Sequence, residues 1–175
     1  MRKALILLVP VAALFLSACS EEKAEAPPPV PLTEQALSHY CQMWVSEHGG
    51  PKAQIHLEGM PNPLFFAQVR DAVAYLRSSE REAPVTAVYV SNMSVAKSWD
   101  EPGMSNWIDA GSAKFVIGSD AKGGMGAPEV VPFADETDAS NFVAKRGGKV
   151  ATLDEIPDDT VLGAVEFDLP GETTR

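Results

Sequence analysis

The chain has 175 residues, 22% of them charged, with 24 Asp and Glu against 14 Lys and Arg and a formal net charge of −10. Binding a nucleic-acid backbone means releasing counterions to clusters of Lys and Arg. No such cluster stands in this acidic sequence, so no nucleic-acid partner is expected. The length suits one ordinary domain or two small ones.

Arg2 and Lys3 open the chain, followed by an apolar stretch at 4–16 that contains Pro10. Thirteen residues are too few to cross a bilayer core of about 30 Å as a helix. The stretch ends in Leu16-Ser17-Ala18-Cys19, the bulky-small-small-Cys form of a lipobox, whereas a plain secretory signal fixes no cysteine after the cleavage site. Residues 1–18 are therefore expected to be a lipoprotein signal peptide, with Cys19 lipidated and the mature chain held at a membrane outside the cytoplasm. Ser20, rather than Asp, favours the outer membrane. Cleavage removes two positive charges and no negative ones, which leaves twelve basic against 24 acidic residues, a formal −12. Lipidation would leave Cys41 as the one thiol in an oxidising compartment, with no partner for an internal disulfide.

Residues 19–32, charged and then proline-rich, read as a lipidated cysteine and flexible tether. A short helix is expected to start at Thr33-Glu34-Gln35. Residues 52–57 alternate apolar Ala53, Ile55 and Leu57 with polar Lys52, Gln54 and His56, the pattern of a half-buried strand. After the break at Gly59-Met60-Pro61, residues Phe65, Val69, Ala72, Val73 and Leu76 recur at helical spacing and predict a helix over 64–78. Residues 85–90 predict another strand.

A second half repeats this order. Strands are expected at 107–110 and 114–117, a glycine-rich break at 123–128, and a short strand at 130–133. A helix follows over 138–145, capped by Asp135 or Thr137 and ended by Gly147-Gly148, and a last strand at 150–153. The expected architecture is α+β, with two small similar ββαβ-type units at 33–97 and 98–163, mostly antiparallel sheets, and an acidic tail at 164–175.

The segment His39-Tyr40-Cys41-Gln42-Met43 places a thiolate and a thioether two residues apart, both soft donors of the kind that select Cu(I), with an imidazole beside them. The same residues also fit a small buried cysteine next to a core methionine. Met125 stands in a glycine-rich turn without apolar periodicity, where a core role is less natural, and Met60 occupies the comparable turn of the first half. Met93 and Met104 lie in the connection between the halves. His48 and His56 read as solvated residues. The sequence carries no HExxH, CxxC, GxSxG, Walker or GxGxxG pattern, so nothing points to an enzyme.

Taken together, several segments resemble the NosL family, copper-binding lipoproteins that assist assembly of nitrous oxide reductase. They are the lipobox at Cys19, the segment at 39–43, Gly50-Pro51-Lys52-Ala53-Gln54-Ile55 and Phe65-Phe66 with Arg70-Asp71-Ala72. Trp107-Ile108-Asp109-Ala110 and Gly124-Met125-Gly126-Ala127-Pro128-Glu129 complete the set. The resemblance spans about residues 38–163 and implies a Cu(I) chaperone or donor acting on apo nitrous oxide reductase with a membrane ABC-type assembly complex. It also implies two ββαβ-type units and a copper site at Cys41 and Met125, with Met43 part of the Cys-x-Met motif. His39, two residues before Cys41, is a further candidate ligand from its position. Many members carry glycine where this chain has Gln42, which leaves the local turn and the role of Met43 open. A docking adaptor without metal exchange, or a thiol-dependent enzyme using Cys41, are the other readings.

Overall fold

A computed structural model describes residues 25–165. The expected signal peptide, Cys19, residues 20–24 and the tail from 166 onward lie outside the described residues. The first sheet is formed by β1 (Ala53–Leu57), β2 (Leu64–Phe66), β3 (Val85–Ser91) and β4 (Trp107–Asp109), in the order β2-β1-β3-β4 and antiparallel throughout. The second is formed by β5 (Lys114–Ile117), β6 (Val131–Phe133) and β7 (Lys149–Ala151), in the antiparallel order β6-β5-β7. Helix α1 (Val69–Arg77) packs on the first sheet, α2 (Glu136–Arg146) on the second, and the short α3 (Asp158–Leu162) against α1. The order ββαβ thus occurs twice, as expected of an α+β chain with antiparallel sheets.

The two halves are not separate bodies. One core joins Ile55, Phe66, Val69 and Val73 of the first to Phe115, Ile117, Val130 and Ala151 of the second. Strand β4, which reads as part of the second half, instead edges the first sheet through Ser91↔Trp107 and Val90↔Ile108.

Helix α1 is shorter than its periodicity suggests, because residues 64–66 pair with β1 as Ala53↔Phe66 and Ile55↔Leu64. Phe65 and Phe66 suit a pleated, half-buried surface as well as a helix face, and pairing with β1 decides between them. Helix α2 follows expectation. Asp135 accepts a hydrogen bond from the Thr137 amide at 2.7 Å, and Gly147 ends the helix at φ +74°. The last strand is β7, shifted to Lys149–Ala151.

No helix starts at Thr33. Residues 36–45 form a tight hairpin instead, with Val45 N–H donating to Ala36 O at 2.9 Å and Ser38 N–H to Met43 O at 2.9 Å. Ala36 and Val45 bury one side of it with Leu32 against Phe65 and Trp107.

Strand β1 is buried along its whole length, not half-exposed. Ala53, Ile55 and Leu57 face the core under α1, while the proline-rich segment expected to be a free tether lies against the polar face. There the Gln54 carboxamide pairs with both backbone groups of Val30, accepting from its N–H at 2.8 Å and donating to its carbonyl at 2.9 Å. The Tyr89 hydroxyl donates to Pro27 O at 2.7 Å, and Leu32 N–H to Met104 O at 2.7 Å. A proline-rich strand presents few N–H donors, so a side-chain amide takes the place of a ladder. His56, expected in solvent, is buried beside Gln54, and its Nε2–H donates to Gln54 Oε1 at 2.9 Å. Burial lowers its pKa, which holds the ring neutral. The polar half of this alternation is therefore an internal seam.

Candidate metal centre

Cys41 is a free, half-buried thiol at the tip of the 36–45 hairpin. The turn depends on Gln42, the one non-glycine residue with positive φ among those described, at +56°. Its amide donates to Ser38 O at 2.9 Å, and its side-chain Nε2 donates to His39 O at 2.7 Å. A left-handed residue other than glycine costs about 1 kcal/mol or more, and the side-chain hydrogen bond offsets part of that. The position where the resemblance expects glycine is thus the one that needs a glycine-like backbone, and glutamine meets the need by tying itself to the turn.

The hairpin is fastened to the body on one side. His39 N–H donates to Phe65 O at 2.7 Å, and Ala67 N–H to the Ser38 hydroxyl at 3.3 Å. The His39 ring packs among Tyr40, Phe66 and Tyr75, with centroids 5.4 to 5.6 Å apart. The Tyr40 ring meets Phe66 edge-on at 5.5 Å, and its pKa is raised, first by burial and then by the Asp71 carboxylate and Tyr75.

Met125 reaches the start of α1 from the second half. Its amide donates to Gln68 Oε1 at 3.0 Å, and Gln68 is the residue that precedes α1. The turn closes with Gly126 N–H donating to Gly123 O at 2.8 Å, and His48 Nδ1–H donates to Gly124 O at 3.2 Å. His48, expected in solvent, is a half-buried clamp on this loop. Two of its glycines are required by space. A Cβ on Gly123 would stand 2.4 Å from Glu129 Oε2 and 2.5 Å from Gln68 Oε1, and one on Gly124 would stand 2.4 Å from His48 Cβ.

Beneath the two loops lies a buried polar cluster that sequence reasoning missed. Lys52 is 2% exposed, and its ammonium donates to the carbonyls of His48, Gly49 and Ala67. Burial lowers its pKa to about 8, against the pull of Glu129 and Asp100. Glu129 is also 2% exposed, and burial raises its pKa to about 8, so its carboxyl is largely protonated at neutral pH. Glu129 Oε1 accepts from the amides of Arg70, at 2.9 Å, and Val130, at 2.8 Å. Gln68 provides no side-chain cap to α1, so a carboxyl 59 residues further along the chain satisfies one of the orphan amides of the helix. Arg70 in turn donates through its guanidinium to the carbonyls of Thr160 and Gly163, which ends α3. The available signal was the company these residues keep. Lys52, Arg70 and Glu129 all lie in the short segments on which the family resemblance rests, although they are far apart in sequence.

The family model described as NosL matches residues 29–161. A copper-binding lipoprotein NosL from Achromobacter cycloclastes is 52% identical over 160 residues, covering 91% of this chain and 83% of the relative. A copper-binding lipoprotein NosL from Stutzerimonas stutzeri is 30% identical over 153 residues, covering 86% and 78%. This chain belongs to the NosL family. The fold agrees with the crystal structure of the copper chaperone NosL from Shewanella denitrificans, at a TM-score of 0.69 and 32% identity, covering 74% of this chain and 97% of that one.

Within this NosL chain the methionines separate by place. Met43 lines a shallow groove of about 280 Å³ with Leu37, Gln42, Trp44 and Glu47 on the outer side of the hairpin. Met60 is exposed in the β1–β2 turn, at the end of that strand pair away from Gln68. Met93 packs against the core of the second half, and Met104 lines a cavity of about 720 Å³ together with Leu32, His48 and Pro102. Among the described residues, no three of His, Cys, Asp and Glu stand together as a metal cage. Cys41 and Met125 stand on loops that are both fastened to residues 65–68, between β2 and α1.

Proposed function

We propose that this chain is a Cu(I) carrier in which the Cys41 thiolate and the Met125 thioether hold the ion, with a third position filled by Met43, His39 or the incoming partner. The observation that carries this reading is the anchoring of both sulfur-bearing loops on the junction between β2 and α1, Met125 through Gln68 and the Cys41 hairpin through Phe65 and Ala67. Thiolate and thioether suit a soft monovalent ion better than Zn2+ or Ca2+, which favour closed N/S or oxygen cages. Two or three ligands leave copper open to an entering donor, so a ligand from the acceptor binds before an old one departs. The chain moves an ion and performs no chemical conversion.

The relatives' description as copper-binding lipoproteins and as a copper chaperone supports the cargo. The acceptor we assign is apo nitrous oxide reductase, served together with a membrane ABC-type assembly complex. Lipid on Cys19 would keep the carrier at the membrane outside the cytoplasm, with the outer membrane favoured by Ser20. Binding requires loss of the thiol proton, so affinity falls as the medium becomes acid.

The test is a Cu(I) titration of the soluble body against a competing chelator, with X-ray absorption to count sulfur ligands. Cys41→Ser is expected to abolish tight binding and Met125→Leu to weaken it about tenfold or more, the scale on which losing one ligand-supporting group acts. Stoichiometric Cu(I) retained by Cys41→Ser would overturn the assignment. Normal copper loading of the reductase by both variants would favour a docking adaptor instead.

A further inference from the structure

The hairpin that carries Cys41 also carries the densest exposed apolar surface among the described residues. Leu37 is 48% exposed, Tyr40 49%, Met43 40% and Trp44 51%, all within eight residues. Leu37 and Trp44 face each other across the hairpin as a bridge pair. A monomer gains nothing by leaving a tryptophan, a tyrosine, a methionine and a leucine together in water, and such clusters mark contact surfaces. Tryptophan and tyrosine also dominate the energetic centres of interfaces. The side chains are not idle packing for the fold, because the opposite side of the hairpin, through Ala36 and Val45, already supplies its core contact.

Charge narrows the occupant. Between Lys23 and Lys52 the chain has no Lys or Arg, and Lys52 is buried on three carbonyls. Exposed Glu34 and Glu47 flank the base of the hairpin, where the Ser46 hydroxyl donates to the Glu34 backbone carbonyl at 3.2 Å. Glu47 also lines the shallow groove beside Trp44. An apolar tip with an acidic base complements an apolar patch rimmed by Lys or Arg.

We infer that the outer face of the 36–45 hairpin, centred on Leu37, Met43 and Trp44, docks the protein that exchanges copper with Cys41, and that this partner presents a basic-rimmed apolar patch. The inference rests on the carrier reading and names its partner surface. Ligand exchange at Cys41 needs a donor atom of the partner within bonding distance, so a partner that takes or gives the ion must cover this hairpin.

The test uses the mature chain loaded with Cu(I), mixed with the assembly complex and apo nitrous oxide reductase, and follows copper transfer. Leu37→Ser combined with Trp44→Ser is expected to keep the wild-type Cu(I) affinity within about twofold, since neither is a ligand, and to slow transfer roughly 30-fold or more. Glu47→Lys should slow transfer at low salt, with the difference fading as ionic strength rises. Wild-type transfer rates in both variants would overturn the inference. A wild-type chain that fails to bind Cu(I) at all would sink the carrier reading instead. Two further readouts test other occupants. Trp44-dependent dimerisation in sedimentation would reassign the face to a second copy. Trp44-dependent binding to anionic phospholipid vesicles would reassign it to a lipid surface.

Discussion

Alanine at Gly124 would place a methyl carbon 2.4 Å from His48 Cβ and 3.0 Å from Gly49 O. Ordinary carbon–carbon contact is about 3.5–4.0 Å, so the first overlap exceeds an ångström, and neither neighbour is the far end of a flexible side chain. His48 is held by its hydrogen bond to Gly124 O, and the His48 and Gly49 carbonyls are held by the buried Lys52 ammonium. The loop must therefore move away, carrying Met125 with it and stretching the hydrogen bond from its N–H to Gln68 Oε1. Overpacking of this kind costs about 1–3 kcal/mol, a fall in melting temperature of roughly 3–10 °C for a body of this size. A donor displaced by about an ångström is a poor ligand, so Cu(I) affinity should fall about tenfold with Cys41 and Met125 both intact. Thermal unfolding followed by circular dichroism and chelator competition on the same protein measure the two effects. A Gly124→Ala protein with wild-type melting and wild-type Cu(I) affinity would refute the argument that this loop is positioned by contact with 48–49.

Glu129→Gln separates the helix-capping role from the charge. Below about pH 4.5 the carboxyl is neutral in both folded and unfolded chains. Because its folded pKa is raised to about 8, its contribution to stability is fully present below 4.5 and is lost as pH rises through 8. Urea midpoints at pH 5 and pH 9 should therefore show Glu129→Gln gaining on wild type at the higher pH, and an unchanged difference would sink the assignment. Gln54→Leu removes both bonds to Val30 and the partner of His56, and at about 1 kcal/mol per bond should cost roughly 2–4 kcal/mol. The same variant should speed hydrogen exchange at the Val30 amide, whereas protection equal to wild type would show that the segment is held by other means. Tyr89→Phe loses the single bond to Pro27 O and should cost about 1 kcal/mol, measured in the same unfolding assay.

Much of the fold was legible from local physics. The repeated strand, turn, helix and strand order follows from apolar spacing, and the bounds of α2 follow from Asp135 and Gly147, because a cap acts within a few residues. Where the structure departs from local expectation, a distant partner decides the outcome. Residues 64–66 are strand because β1 offers them backbone partners. Trp107–Asp109 edges the first sheet because β3 presents a free edge there. The 27–32 segment is held because Gln54 and Tyr89 reach it from the sheet.

The candidate site divides in the same way. Residue chemistry drew attention to Cys41 with Met43 and to the loop methionines Met125 and Met60, since a thiolate and a thioether keep their softness in any fold. The family resemblance narrowed these to Cys41 and Met125. The proline-rich composition and the polar alternation of 52–57 also came from sequence, but read alone they suggested solvent on both. Tertiary structure turned that polar face into an internal seam. It also gathered Lys52, Gln68 and Glu129 from three separate segments beneath the Cys41 hairpin and the Met125 loop. Burial of a charge or a carboxamide is tolerated only where hydrogen-bonding partners converge on it. That convergence depends on how strands and helices pack over long sequence separations, so no local pattern in the chain announces it.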